Sequence, residues 1–305
     1  MNTENAPTAS SGRGFLIASA WAAMLLVSDL PEIVTGWLGS KAPGWLPWVQ
    51  VLFIALFLGL CLAWSRLRAL LPFAFVMLVF FLALRLSAGV GVSEWWRARF
   101  NSPDVSFFAG YLGAFHRDVL VALAVLAALW ALKKRRREFF LVKGNLNAPV
   151  EPVRWLGIKA GEKWRAFVWI FALAAGLIVL IATALSIRPS PEALAKALPL
   201  LPAVLLFAAI NAFTEEVYFR ASLLSTLTEV LGKNHTLLLN AVFFGLAHWI
   251  YGSPPGLPGF LMTGFLAWLM GKAMLETRGL LAPWIIHFVP DAVIFASYAV
   301  LWAGR

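Results

Sequence analysis

Apolar stretches close to twenty residues long recur along the whole chain, and no other feature restricts the fold as strongly. About 20 consecutive apolar residues, wound as a helix, match the hydrocarbon thickness of a bilayer. In order they run Gly14 to Ser28, Leu46 to Trp64, Leu70 to Val92, Gly113 to Leu132, Ala166 to Ile187, Leu198 to Leu223, Thr236 to Tyr251, Phe260 to Leu275 and Leu281 to Trp302. The first is short for a span and, behind Arg13, shares the form of a signal-peptide core; we read it as a transmembrane helix. Of the 305 residues 61% are hydrophobic and 13% charged, whereas about a quarter of a soluble domain is charged. Inside a bilayer a segment must satisfy its own backbone polar groups, which favours helices. The expected fold is therefore all-α, a polytopic transmembrane helical bundle with about eight or nine spans.

The position of the charge carries more than its sum of +10. Arg66 and Arg68 close the second run, and Lys133 to Arg137 form a five-residue basic block after the fourth. Both follow even-numbered runs, so the positive-inside rule places the N-terminus in the cytoplasm, and a bacterial inner (plasma) membrane is the expected location. No nucleic-acid-binding motif accompanies the basic residues. Trp45, Trp48, Trp64, Trp95, Trp96, Trp130 and Trp302 crowd the ends of the runs, as interfacial aromatic belts require. The lone Cys61 excludes an intrachain disulfide. Four segments follow from the pattern: a disordered polar tail at 1–13, a four-span region at 14–132, a basic cytoplasmic linker at 133–165 containing Pro149 and Pro152, and a core at 166–305.

Three of the later runs carry polar groups that a bilayer would normally exclude. The sixth ends in Glu215-Glu216-Val217-Tyr218-Phe219-Arg220, the seventh contains Phe244 and His248, and the ninth contains His287 and Asp291. Each has a plain reading on its own: a solvated helix end, a core histidine, a self-satisfying His and Asp pair. An intramembrane ionisable group is nevertheless costly unless it is paired or watered. Their depths, counted from the cytoplasmic helix ends at 1.5 Å per residue, are compatible with one shared cavity. Glu216 and Arg220 stand in the i,i+4 relation of an ion pair, which leaves Glu215, about 100° away around the helix, for chemistry. Asn211 lies one turn before Glu215 and is expected to line the same cavity. His287 and Asp291 share a helix face, and Pro290 between them opens the local hydrogen-bond ladder.

A carboxylate and two imidazoles around a wet cavity suit hydrolysis. Glu215 would act as general base toward water, while His248 and His287 either ligate a metal or donate hydrogen bonds to the oxyanion. The residue types fit both. Other polar residues read as structural: Arg85 within the third run, the interfacial group His116, Arg117 and Asp118, the loop residue His235, and Glu276 with Arg278 at a cytoplasmic turn.

The adjacent glutamates with Arg220, then Phe244 and His248, then His287 and Asp291, in this order on successive helices, resemble the CAAX prenyl protease and bacteriocin-processing family of intramembrane proteases. The resemblance runs from about Trp155 to Trp302. It implies an intramembrane endopeptidase, acting on a membrane-associated or prenyl-like C-terminal segment or a hydrophobic peptide, with Glu215 as the catalytic glutamate and His248 and His287 as the second- and third-motif histidines. Asp291 stands where the eukaryotic members have asparagine, and an ionised aspartate only accepts hydrogen bonds. Members are described both as metalloproteases and as glutamic proteases. Zinc held by Glu215, His248 and His287 therefore stays open as the one cofactor, although a His-Glu-x-x-His motif is absent. The partners implied are the lipid bilayer and a membrane-anchored peptide or protein substrate, with no nucleic acid. Two other readings keep the same residues: a non-catalytic membrane peptide-binding or immunity protein of the same fold, and a proton-coupled transporter.

Overall fold

The computed structural model describes residues 7–102, 104–252 and 254–304. The elements are α1 (Pro7–Val27), α2 (Leu30–Trp37), α3 (Leu46–Ala63), α4 (Leu71–Gly91), α5 (Glu94–Phe100), α6 (Phe107–Ala131), α7 (Trp164–Ile187), α8 (Pro191–Ala197), α9 (Leu201–Glu215), α10 (Ser222–Leu231), α11 (Lys233–Tyr251), α12 (Leu257–Thr277) and α13 (Leu281–Ala303). Among the described residues there is no strand, only two isolated bridges, Pro149 with Lys163 and Val153 with Ile158. The fold is an all-α polytopic bundle. Of the expected tail, residues 1–6 lie outside the described residues, and residues 7–13 form the first turns of α1.

Helix starts follow from the sequence. Proline, which lacks the N–H a first turn leaves unpaired anyway, stands at the start of α2, α3, α8 and α9. Ser93 and Ser190 cap α5 and α8 by accepting from the Trp96 and Ala193 amides. By length and composition seven helices can cross a membrane, and eight if α1 and α2, bent by 59° at their junction, count as one broken span. The seventh apolar run, now α11, falls outside that set. Lys233, Asn234, His235, Asn240 and His248 lower its hydropathy.

The chain divides into two units. The first comprises Met1–Arg85, Ala124–Phe139 and Tyr218–Lys272. Here the α1/α2 bend is stitched internally: Ser28 Oγ donates to the Leu25 carbonyl (2.8 Å), and Gln50 Nε2 of α3 donates to the Ser28 carbonyl (2.8 Å). Phe80 of α4 lies among the rings of Tyr218, Phe219 and Phe243 at 5.5, 5.9 and 6.2 Å. Fully buried Asn240 ties α11 to α12 by donating to the Ala267 carbonyl (2.9 Å).

The second unit comprises Leu86–Leu123, Phe140–Val217 and Ala273–Arg305. Its axis is α13, flanked by α7, α8 and α9. Gly176 of α7 meets Val289 of α13 so closely that a Cβ there would lie 2.8 Å from Val289 Cγ1, the small-residue contact by which helices pack in membranes. Trp284 of α13 donates from Nε1 to the Ala209 carbonyl of α9 (3.1 Å), and Phe107, Phe115, Phe207 and Phe295 form the apolar core beside it. His116, expected as an interfacial anchor, is held between the Ser87 and Gly113 carbonyls with its ring 4.2 Å from that of Trp96.

Residues 140–165 form a docked strap. The amides of Trp164 and Arg165 at the start of α7 donate to the Ala148 and Leu146 carbonyls (3.1 and 2.7 Å), and those of Leu280 and Leu281 at the start of α13 to the Val142 and Lys143 carbonyls (2.9 and 3.4 Å). The strap thus satisfies donors that helix starts leave without an intrahelical partner. Glu276, read from the sequence as a surface group, accepts at Oε2 from Trp164 Nε1 (2.9 Å) and from the Glu151 amide (3.1 Å). Gly144 sits at φ +78°, where an added Cβ would lie 2.8 Å from both Gly279 Cα and the Thr277 carbonyl oxygen. Gly144→Ala is therefore expected to cost about 1–3 kcal/mol, read as a lowered unfolding temperature in detergent. A surface loop would tolerate the change.

Candidate active site

At Glu215 the α9 ladder ends, and Glu216–Ala221 follow in a π turn before α10 resumes. Such turns inside α-helices are rare and frequent at functional sites. The turn starts in the second unit and runs into the first.

In the second unit four polar side chains gather around His287. Its Nδ1 faces Glu216 Oε1 at 2.8 Å, while its Nε2 lies 3.5 Å from Glu215 Oε2 and 3.7 Å from Asp291 Oδ2. Adjacent residues on a helix diverge by about 100°. Glu215 and Glu216 both reach the ring because it presents one nitrogen to each. Asn211 completes the group, donating from Nδ2 to Asp291 Oδ2 (3.0 Å) and, more weakly, to Glu215 Oε1 (3.4 Å). Side-chain exposure grades across the cluster: 0% at Glu216, 9% at His287 and Asp291, and 16% at Glu215. Glu215 is thus the most accessible of the three carboxylates. The helix register behind this arrangement is fixed nearby by the Trp284 bond to α9 and by the Gly176 contact to α7.

The sequence pointed to His287, Asp291, Glu215 and Asn211, and the structure brings these together. The bond from His287 to Glu216 was not anticipated. Its partners are 71 residues apart, and only the relative register of α9 and α13 determines it.

Arg220, Phe244 and His248 lie in the first unit. The Arg220 guanidinium sits 4.2 Å over the Phe244 ring, a cation–π geometry. His248 lies 4.3 Å from the same ring, and its Nδ1 donates to the Phe244 carbonyl (2.9 Å). That bond fixes the ring and leaves Nε2 as its other functional atom. Arg220 is fully buried and Phe244 nearly so, and Phe219 packs edge-on against Phe244 at 5.0 Å.

The residues expected to hold zinc were Glu215, His248 and His287. Among the described residues, no group of three or more His, Cys, Asp or Glu side chains is arranged to hold a metal ion.

Fold and cluster together define a multi-pass helical membrane protein with a carboxylate and imidazole centre buried within its apolar helices. Residues 197–293 match the family model described as Type II CAAX prenyl endopeptidase Rce1-like, so an Rce1-like domain, of a protease family, occupies that part of the chain. The matched segment takes in every residue of both polar groups and leaves α1 to α7 outside. No curated protein and no solved structure matches the chain.

Proposed function

We propose that the protein is an intramembrane endopeptidase of glutamic type, opening to the cytoplasmic side. The observation that carries this reading is Glu215. It is the most exposed carboxylate of the cluster, with Asn211 on one oxygen and His287 beside the other. Glu215 takes a proton from water as the resulting hydroxide adds to the scissile carbonyl carbon. The C–N bond then breaks, and Glu215 returns the proton to the leaving amine. As an imidazolium, His287 donates from Nδ1 to Glu216 and from Nε2 toward the developing oxyanion. The family resemblance gives His248, whose Nδ1 is committed to the Phe244 carbonyl, the role of a second oxyanion donor. Asp291, acceptor-only when ionised, holds the Asn211 amide that orients Glu215 and is a positioning residue.

Substrates of this site would be membrane-anchored proteins with a prenyl-like C-terminal segment, or hydrophobic peptides, entering from the bilayer. With the N-terminus in the cytoplasm, the basic strap and the Glu215 end of α9 share that side.

The test is cleavage of a fluorogenic, membrane-anchored peptide library by the purified protein in detergent, with and without a chelator. Fragments from wild type that persist in chelator are the expected result. Loss with chelator, restored by zinc, would replace the glutamic mechanism by a metal-dependent one. Folded wild type that binds peptides yet yields no fragments would leave a non-catalytic peptide-binding protein.

A further inference from the structure

The first unit contains a cavity of about 440 Å³ that the reaction does not use. It is walled by Arg13 and Ile17 of α1 and by Gly232, Lys233, Asn234 and His235 at the junction of α10 and α11. Its charges are of one sign: a guanidinium and an ammonium group, with an imidazole and a carboxamide beside them and no carboxylate in the lining. An anion entering there would meet both cations at once.

The seat of the guanidinium is built by glycine. Gly232 lies at φ +84°, and a Cβ there would stand 2.2 Å from Arg13 Nη2. Any other residue would strain the backbone and displace the arginine. The turn is held on both sides, by the Gly232 amide to the Thr228 carbonyl (2.9 Å) and by the Thr236 amide to the Gly232 carbonyl (3.1 Å).

We propose that this cavity binds a phosphate group, carried by an anionic lipid headgroup or by a soluble phosphate compound. Phosphate oxygens accept hydrogen bonds, and a planar guanidinium meets two of them at once. Arg13 directly precedes the apolar run that begins at Gly14, so the cavity lies at a span end, where headgroup phosphates lie. Ile17, one turn further along α1, adds an apolar wall. The proposal is independent of whether the protein cleaves peptides.

The experiment measures binding of short-chain phosphatidylglycerol, phosphatidylcholine and inorganic phosphate to the full chain in neutral detergent. It compares wild type, R13Q, K233Q and a variant with Lys133 to Arg137 replaced by glutamine. Each single substitution in the cavity is expected to weaken phosphatidylglycerol roughly fivefold, the worth of one basic residue at an anionic surface. Neutralising the 133–137 block should leave this saturable binding in place. Phosphatidylglycerol bound far more tightly than inorganic phosphate would identify the lipid as the source. Inorganic phosphate bound equally well, with the same dependence on Arg13, would identify a soluble one. Affinities for both probes that R13Q and K233Q leave unchanged, in variants whose unfolding temperature without ligand equals that of wild type, would overturn the site.

Discussion

Glu215→Gln is expected to lower kcat for peptide cleavage by roughly 10²- to 10⁴-fold, the usual contribution of a positioned general base. The amide is nearly isosteric and keeps a carbonyl oxygen for the Asn211 donor, which approaches Oε1 at 3.4 Å. Binding of an uncleaved peptide should therefore change little. The result separates the chemistry from capture, because a peptide-binding protein would lose affinity or nothing at all. Single-turnover cleavage and peptide affinity, measured on the same preparation, check it. Unchanged turnover in the glutamine variant would remove Glu215 from the reaction.

Glu216→Ala is the substitution expected to cost most stability. The Glu216 side chain is fully buried, and its Oε1 lies 2.8 Å from His287 Nδ1. Removing it strands the imidazole, and breaking a buried ionic pair from one side costs about 3–5 kcal/mol. Glu216→Gln keeps an acceptor in place while removing the charge, so it should fall between alanine and wild type. Thermal unfolding in detergent gives the order, and cleavage should decline in step as the ring loses its orientation. Equal stability in all three proteins would show that the His287 bond adds nothing to the fold.

Much of this was legible in the sequence, for identifiable reasons. Apolar runs near twenty residues can do little in a bilayer except form helices, so the all-α bundle followed directly. The i,i+4 spacing of His287 and Asp291, and of Asn211 and Glu215, survives because each pair lies within one regular helix. What failed to show depends on structure between helices. The π turn at Glu216–Ala221 has no compositional signature, and it changes the angular relation among residues that i,i+4 reasoning assumes to be regular. The role of Glu276 was hidden because its partner, Trp164, is distant in the chain and lies in a segment whose prolines and basic residues suggested a linker. The α1/α2 bend was missed as well. A serine and an aspartate after an apolar run look like an ordinary helix end, and only the Gln50 bond to Ser28 shows that the break is a built feature.

The docked strap also constrains the order of events during synthesis. Trp164 emerges from the ribosome 112 residues before Glu276, its hydrogen-bond partner, and the Val142 and Lys143 carbonyls wait longer still for the amides at the start of α13. Until the segments carrying Glu276, Leu280 and Leu281 are made, this stretch lacks its seat and stays open to chaperones and proteases. The same insertion that delivers His287 to the two glutamates shelters the strap, so protease resistance of the strap is expected to report assembly of the centre.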